Sequence, residues 1–328
     1  MRDDGLLDDT IIMVNDEPYS IWDRDLCRLN IDFIKGIDVD YFDYLLKVHM
    51  SAEAEEKASV ALRTTLHHAT ETLFSLLGAF IQAPDCVYGW LAKCRNEQLR
   101  TLLIRINKRD SNIFNKFSMK EVSWNSISTL VFQNYSDDTN KNSATAMLFA
   151  KLWERLVSEY VDDNHISEYN SFKHGFRIRS GEIGFSLSIG FEKEVGVAPP
   201  PSEMRVIGES KYGTTFLNVE PIGGNKNNLK VRRRTINWSI EKTILQLQLV
   251  WMSIVNVTSA LKVINQIEGD ERKFVKPTED GDFERPWQYT PSITSFNIGN
   301  TIDEGQIIPL TKEELLKLIH EQQCKTAN

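Results

Sequence analysis

Residues 51–82 read SAEAEEKASVALRTTLHHATETLFSLLGAFIQ, and this stretch decides the fold class. Its apolar residues recur at steps of three and four, which is the period of a helix with one buried face. Those residues are Ala58, Leu62, Leu66, Ala69, Leu73, Leu77 and Phe80. Ser51 is a candidate N-cap, glutamates follow it in the first turn, and Pro84 lies just beyond the last apolar residues. The sequence therefore predicts a long amphipathic helix that ends before Pro84.

Helical spacing also occurs on both sides of this stretch. It predicts one or two helices in residues 18–48 and single helices in residues 88–107 and 143–161. From Ser239 onward the apolar residues step by four and three alternately, as in a heptad pattern. This stripe is typical of one wall of a bundle core, and a dimer seam is the alternative.

The pattern changes between residues 176 and 222. Apolar and polar residues alternate there in short runs, and glycine or proline separates the runs. Alternation of this kind is typical of strands and hairpins. We therefore expect an α+β protein, mainly α, in which a helical bundle carries a small antiparallel β insertion around residues 176–222.

The chain divides into five segments on these patterns. We expect a mobile acidic N-terminal segment (1–17), a helical bundle (18–175), a β-rich insertion (176–225), a helix completing the bundle (226–268), and an extended segment with a C-terminal helix (269–328). The last helix is predicted to begin after Thr311, because Glu314 three residues later completes a capping-box pattern.

Composition sets limits on the class of protein. Hydrophobic residues make up 41% and charged residues 26% of the 328 residues, which is ordinary for a globular protein. No run of about 18 apolar residues and no basic-then-apolar N-terminus is visible, so we expect a cytoplasmic protein with no membrane segment. The four cysteines form no CxxC pair, and Cys86 and Cys94 are predicted to be reduced, packed thiols, with a disulfide or a zinc site as the alternative. Walker A, dinucleotide-binding, HExxH and GxSxG patterns are absent, and we expect no cofactor.

Positive charge is concentrated locally, although the formal net charge is −8. Residues 93–120 carry eight basic and two acidic side chains, and residues 226–234 carry five basic ones. Local basic patches on an acidic protein can bind a polyanion. The alternative is that these side chains are solvated or paired within the chain.

The segment from Glu168 to Arg177 reads EYNSFKHGFR and lies where the helical pattern gives way to the strand pattern. His174 can transfer a proton near neutral pH, and Lys173 and Arg177 can stabilise negative charge that develops on phosphorus or oxygen. Asn170 can orient a phosphate. Metal-independent RNA cleavage requires these groups. The structural alternative is a helix C-cap, in which cations face the negative helix end and Gly175 supplies a left-handed turn.

This segment resembles the signature of the HEPN (higher eukaryotes and prokaryotes nucleotide-binding) helical domains. Those domains carry an Arg, often an Asn, three further residues and a His near the start of a late bundle helix. Asn170 and His174 match the Asn-x-x-x-His part, whereas Tyr169 stands at the position of the Arg. The resemblance implies RNA cleavage by a dimer whose two motifs face each other. The departure at Tyr169 leaves the site incomplete unless Lys173 or Arg177 substitutes for that Arg.

A second group of polar residues lies within the long helix. Arg63 and His68 have the Arg-x4-His spacing of the same family, but they lie in the middle of a helix. His67 and Glu71 are four apart and share one helix face. The pair can brace the bundle interior, support the turn at His174, or contribute to a metal site. Candidates for a further metal ligand are Asp162, Asp163 and His165.

Two main classes of function remain open. The first is a HEPN-like RNA-directed protein, such as a metal-independent endoribonuclease of a toxin or anti-phage defence system, acting on RNA as a homodimer. Its catalytic candidates are Asn170, Lys173, His174 and Arg177, with Arg63, His68 and Glu71 in second place. The alternative is a non-enzymatic interaction or regulatory scaffold with a degenerate site, whose protein partner binds the β insertion or the C-terminal segment. A metal-dependent helical enzyme is a third hypothesis.

Overall fold

The computed structural model describes residues 11–174, 177–180, 185–190, 197, 199–210, 212–267, 273–291, 294–298, 305 and 307–326. These residues include ten α-helices and eight strands. The α+β class, mainly α, predicted from the sequence is confirmed. The chain forms two compact units. Unit 1 comprises Met1–Ile166 and Ser239–Thr290, and unit 2 comprises Ser167–Trp238 and Pro291–Asn328.

Unit 1 is a helical bundle preceded by a short hairpin. The hairpin consists of β1 (Ile11–Val14) and β2 (Glu17–Ser20). The helices are α1 (Leu26–Lys35), α2 (Tyr41–Met50), α3 (Glu55–Gln82), α4 (Val87–Lys93), α5 (Asn96–Asn107), α6 (Trp124–Val131), α7 (Thr139–Tyr160) and α9 (Ile240–Ile264). Helix α8 (Asp163–Lys173) begins in unit 1 and ends in unit 2.

The centre of unit 1 is formed by α3 and α9, which pack against each other. The apolar stripe predicted for the long helix is the buried face of α3, and Leu73, Phe74 and Phe80 are fully buried. Helical spacing resumes in the sequence at Ser239, which is the N-cap of α9, and its hydroxyl accepts a hydrogen bond of 2.9 Å from the Lys242 amide. Its heptad-like stripe belongs to the same core, so the bundle-core interpretation is confirmed.

Helix α9 corrects one expectation about membranes. It is, by length and composition, apolar enough to cross a bilayer, whereas the sequence patterns indicated no such segment. In the structure, 72% of its most apolar window is buried inside the protein, and this is the environment of a core helix. The high apolarity of α9 is therefore explained by its place between other helices of unit 1.

Several local boundaries differ from those predicted. The segment expected to be mobile through residue 17 contains β1 and the first residue of β2, and Ile12 and Val14 are buried there. Helix α3 begins at Glu55 with Ala54 at the N-cap position, so Ser51 is not the cap. Residues 88–107 hold two helices, because the chain is extended at Cys94 and Arg95 between α4 and α5.

Unit 2 is built on a four-stranded antiparallel sheet in the order β3-β6-β7-β8. Its strands are β3 (Ile178–Ser180), β6 (Tyr212–Ile222), β7 (Asn225–Trp238) and β8 (Ser295–Ile298). A separate pair is formed by β4 (Phe185–Ile189) and β5 (Arg205–Ser210). The sequence patterns predict that residues 226–268 hold the helix that completes the bundle. The chain instead stays in β7 until Trp238, and α9 begins only at Ile240.

Part of the sheet has only two strands among the described residues. Strand β3 pairs with β6 only at residues 214–216, and β8 pairs with β7 only at residues 233–236. Residues 217–232, which hold the end of β6, the turn and the start of β7, form what we call the distal ribbon. Near its turn, Asn228 of β7 forms two hydrogen bonds of 3.0 Å with the main chain of Leu310.

The C-terminal helix α10 (Lys312–Thr326) follows directly after Leu310. Its predicted capping box is confirmed. The Glu314 carboxylate accepts hydrogen bonds from the Thr311 amide (2.7 Å) and hydroxyl (2.8 Å), and the Thr311 hydroxyl accepts one from the Glu314 amide (3.3 Å).

Candidate functional site

The segment singled out by the sequence lies at the C-terminal end of α8, in unit 2. The His174 amide donates a 3.0 Å hydrogen bond to the Asn170 carbonyl, which closes the last helical turn. The Arg177 amide donates a 2.8 Å hydrogen bond to the Ser171 carbonyl and turns the chain towards β3. Gly175, expected to supply a left-handed turn, and Phe176 lie outside the described residues. We call Asn170, Lys173, His174 and Arg177 the helix-end cluster.

The functional groups of this cluster are open to solvent on its cationic side. Lys173, His174 and Arg177 are exposed, whereas Asn170 is half-buried. The Lys173 ammonium lies 5.2 Å from the centre of the Tyr169 ring. The His174 and Arg177 side chains make no hydrogen bond or ion pair with any residue that the structure describes. An imidazole and a guanidinium are thus accessible within one short turn.

Tyr169 and Glu168 form the buried side of the same turn. Tyr169, at the position of the family's Arg, is only 6% exposed and supplies no positive charge. Glu168 is fully buried, and the Thr214 hydroxyl on β6 lies 3.5 Å from its carboxylate. The sequence patterns gave Glu168 no role. One signal could have indicated its burial, because Glu168 lies on the same helix face as Tyr169 and Phe172. A carboxylate that is buried on such a face needs a hydrogen-bonding or charged partner.

The sheet register brings the helix-end cluster close to the basic strand β7. Ile178 of β3 is opposite Phe216 of β6, which is opposite Arg234 of β7. Neighbouring strands are about 4.8 Å apart, so this row spans three strands within about 10 Å. Arg177 immediately precedes the row. The main chain of Arg177 therefore lies next to a row of paired residues that ends at Arg234, two strands away in unit 2.

The two long strands carry an excess of positive charge. Residues 212–238 contain five basic side chains and one acidic side chain. That carboxylate, Glu220, pairs with Arg232 at 3.3 Å and with Arg234 at 2.7 Å. Lys226 and Arg233 are exposed and form no ion pair with a described residue. These two strands therefore carry net positive charge, which attracts anionic groups.

The second group of predicted residues lies on α3, in unit 1. His67 is fully buried, and its Nδ1 lies 2.9 Å from Nε2 of His165. Burial, together with the positive charges of His67, Arg63 and Arg100, holds the pKa of His165 well below its ordinary value. A bond between two imidazole nitrogens needs one donor and one acceptor, and a neutral His165 can supply either.

This arrangement does not support the hypothesis of a metal site. Among the residues that the structure describes, no group of three or more His, Cys, Asp or Glu side chains is placed to hold a metal ion. Asp162 instead accepts a hydrogen bond of 2.9 Å from the Asn164 amide at the start of α8. Asp163 lies in the first turn of α8, where its negative charge is favoured by the helix dipole.

His68 and Glu71 do lie together, at an open pocket of about 280 Å³ in unit 1. His68 is exposed, and its ring centre lies 5.4 Å from that of Phe42. The other lining residues are Phe33, Ile37, Thr72, Ser75, Leu76 and Leu91. The walls are mainly apolar, so the pocket differs in character from the cationic helix-end cluster.

The sequence patterns missed a group of ionisable side chains near Glu71, which lines this pocket. Burial raises the pKa of the Cys94 thiol to about 12, and the negative charge of Glu71 adds to this effect. Burial and Glu71 also raise the pKa of Tyr160, while the Arg100 guanidinium lowers it. The sequence places Tyr160 in the predicted helix 143–161 and Arg100 in the basic stretch 93–120. Their proximity depends on contacts between helices far apart in sequence, which spacing alone does not reveal.

Comparison with protein-family models, curated proteins and solved structures finds no match to this chain. Its function must therefore be inferred from its own residues.

Proposed function

We propose that this chain acts on RNA and that the helix-end cluster contacts the phosphate backbone. One observation carries the proposal. An exposed imidazole, His174, stands between two exposed cationic residues, Lys173 and Arg177, in the unit that holds the basic strand β7. An accessible proton-transfer group beside positive charge is the minimum that metal-independent phosphate chemistry needs.

The proposed reaction is a transfer of the phosphoryl group within the RNA. The His174 imidazole accepts the proton of a 2′-hydroxyl, and the oxygen then forms a bond to the adjacent phosphorus. The bond between phosphorus and the 5′-oxygen breaks, and that oxygen takes up a proton. Lys173 and Arg177 stabilise the negative charge of the phosphorane. The products are a 2′,3′-cyclic phosphate and a 5′-hydroxyl.

One imidazole cannot serve as base and as acid on opposite sides of the phosphorus in a single step. A second copy of the chain would supply the other imidazole, in keeping with the dimer that the HEPN resemblance implies. The proposal therefore includes a homodimer in which two helix-end clusters face one RNA phosphate. A protein of this kind would suit a toxin or an anti-phage defence system, where RNA cleavage stops growth.

A second candidate function is RNA binding or regulation without cleavage. Tyr169 favours it, because a buried tyrosine replaces the Arg of the family motif and only Lys173 and Arg177 remain to stabilise charge. The position of the cluster also has a structural consequence. Cations in the last turn of a helix interact favourably with the negative helix end whether or not RNA is bound. The test must therefore separate binding, cleavage and folding.

The test of cleavage compares the wild-type protein with His174→Ala and with His320→Ala. His320 is an exposed histidine of α10 and provides the matched control. Total and transfer RNA are incubated with each protein in EDTA, and the ends of the products are analysed. We expect 2′,3′-cyclic ends with wild type and His320→Ala, and a loss of roughly 10²-fold or more with His174→Ala. Equal RNA integrity in all three samples would remove the catalytic version.

The test of binding measures the affinity for a labelled single-stranded RNA as a function of salt. The logarithm of the affinity falls linearly with the logarithm of the salt concentration. For single-stranded RNA, losing one phosphate interaction makes this slope less steep by about 0.7. We expect this change for Arg177→Gln and no change for Lys312→Gln, an exposed control on α10. RNA binding without cleavage would support the second candidate function. No binding by wild type would remove both.

A further inference from the structure

One face of the distal ribbon is apolar and exposed. Leu217 and Val219 of β6 are 55% and 47% exposed, and Leu229 and Val231 of β7 are 54% and 55% exposed. Val219 is directly opposite Val231. Alternate residues of a strand point to the same side, so the four side chains share one face of the ribbon. We call these four residues the apolar stripe.

The opposite face of the ribbon is polar, which makes the stripe harder to explain as ordinary packing. Asn218, Glu220, Lys230 and Arg232 alternate with the stripe residues along the two strands. The polar face thus meets solvent and ion-pair partners, while the stripe leaves about half of each aliphatic side chain in water. Contiguous exposed apolar surface on a soluble unit is typical of an interaction site.

Charge identifies the kind of partner. Arg233 is directly opposite Leu217 and therefore lies on the same face, at one end of the stripe. Lys226 lies at the other end, next to the turn, and both cations are exposed. Neither forms an ion pair with a described residue. An occupant that fills the stripe with apolar side chains and places carboxylates at both ends would neutralise these two charges.

We propose that the apolar stripe binds an amphipathic acidic segment of a partner protein, with leucine-like side chains on one side and carboxylates beside them. This goes beyond the proposed action on RNA, because it uses the distal ribbon instead of the helix-end cluster and another class of partner.

RNA and a second copy of the chain fit this face less well. Single-stranded RNA binds through aromatic stacking together with cations, and the stripe contains only leucine and valine. A second ribbon would bring its own excess of basic residues against the first, and like charges across an interface are unfavourable. An acidic protein segment satisfies both the aliphatic surface and its flanking cations.

The experiment uses the full-length protein and three fluorescent helical peptides. The first has leucine on one face and glutamate on the other. The second has lysine in place of glutamate, and the third has serine in place of leucine. Fluorescence anisotropy measures binding of each peptide. We expect binding of the first at low salt, weakened by added salt, and at least about tenfold weaker binding of the other two.

Two variants and a control locate the binding to the stripe. The double variant Val219→Thr and Val231→Thr keeps β-branched side chains, so the strands should remain folded. It should weaken binding of the glutamate peptide by about tenfold, because two buried methyl groups are replaced by hydroxyls. Arg233→Gln should weaken binding and reduce its salt dependence. Val48→Thr changes a valine that is 42% exposed on α2, and it should have no effect.

Three outcomes would overturn the proposal. The first is equal binding of all three peptides. The second is binding of the glutamate peptide that the double valine variant leaves unchanged. The third is a stable homodimer, seen by light scattering, that the double variant dissociates, because the stripe would then belong to a contact between two copies. Circular dichroism of each variant establishes that a loss of binding does not reflect unfolding.

Discussion

His67 and His174 are placed in opposite surroundings. His67 is fully buried in unit 1 and lies 2.9 Å from a second imidazole, His165. His174 is exposed at the end of α8, and its side chain has no hydrogen-bond partner among the described residues. Both histidines stand near basic side chains. Burial and pairing, rather than residue type, therefore separate histidines that hold a fold together from one that can meet a substrate.

The largest effect on folding should come from the core around the pair of His67 and His165. Phe74→Ala removes a fully buried ring of α3 whose centre lies 5.3 Å from that of Tyr160. We expect a loss of about 3–5 kcal/mol in the free energy of unfolding, measured by urea denaturation. Trp22→Ala is the control, because Trp22 is 91% exposed and its removal should cost less than about 0.5 kcal/mol. Equal losses would mean that the buried region is not the core.

Removing the buried imidazole of the histidine pair should have an intermediate effect. His67→Ala leaves half-buried His165 without its hydrogen-bonding partner at 2.9 Å. The expected loss is about 1–3 kcal/mol in the free energy of unfolding, with a further cost for the cavity. His68→Ala, one residue along α3 at an exposed position, is the matched control. A loss no larger than that of the control would contradict the pairing of His67 with His165.

Acid should weaken the fold through the same pair. The pKa of His165 is lowered in the folded protein, so below about pH 6.5 the unfolded chain binds a proton that the folded chain does not. The contribution of His165 to the free energy of unfolding is therefore fully present above that pH. It decreases as the pH is lowered towards the pKa of the folded protein, by up to about 1.4 kcal/mol per pH unit. Urea denaturation between pH 5 and 8 measures this slope. In His165→Gln the slope should be smaller, and an unchanged slope would assign the effect to other groups.

The smallest effect on folding should come from the exposed histidine. His174→Ala removes a side chain that no described residue contacts by a hydrogen bond or ion pair. We expect a change below about 0.5 kcal/mol in the free energy of unfolding, apart from a small loss of interaction with the negative helix end. Urea denaturation beside His67→Ala gives the comparison. A loss as large as that of His67→Ala would place residue 174 among the structural histidines.

Much of the fold could be predicted where one face of an element is buried. The spacing in α3 and the stripe in α9 were visible because a buried helix face must be apolar. Strand β7 was not predicted beyond residue 225, because Lys230, Arg232 and Arg234 lie on one side of it and exposed Leu229, Val231 and Arg233 lie on the other. Neither side of that ribbon shows the buried pattern by which strands are usually found. The hairpin at residues 11–20 was missed because it is short and lies in an acidic segment.

The candidate site shows the same division between local and distant information. The helix-end cluster lies within eight residues of sequence, so its composition alone indicated a charged turn. The partners His67 and His165 are 98 positions apart, and their contact depends on how α3 and the start of α8 meet in the fold. His165 was named only as a possible metal ligand. Sequence spacing predicts which residues share a turn, but it does not predict which distant side chains they meet.

Whether His174 meets RNA can be observed by following the imidazole signals of the six histidines by NMR while RNA is added. The RNA is a short single strand with 2′-deoxyribose at the reacting positions, so that it binds without being cleaved. The His174→Ala variant identifies the signal of residue 174. We expect a saturable shift of the His174 signal, with the signals of buried His67 and exposed His320 unchanged. RNA binding that leaves the His174 signal in place, or no binding at all, would contradict the proposed role of the helix-end cluster.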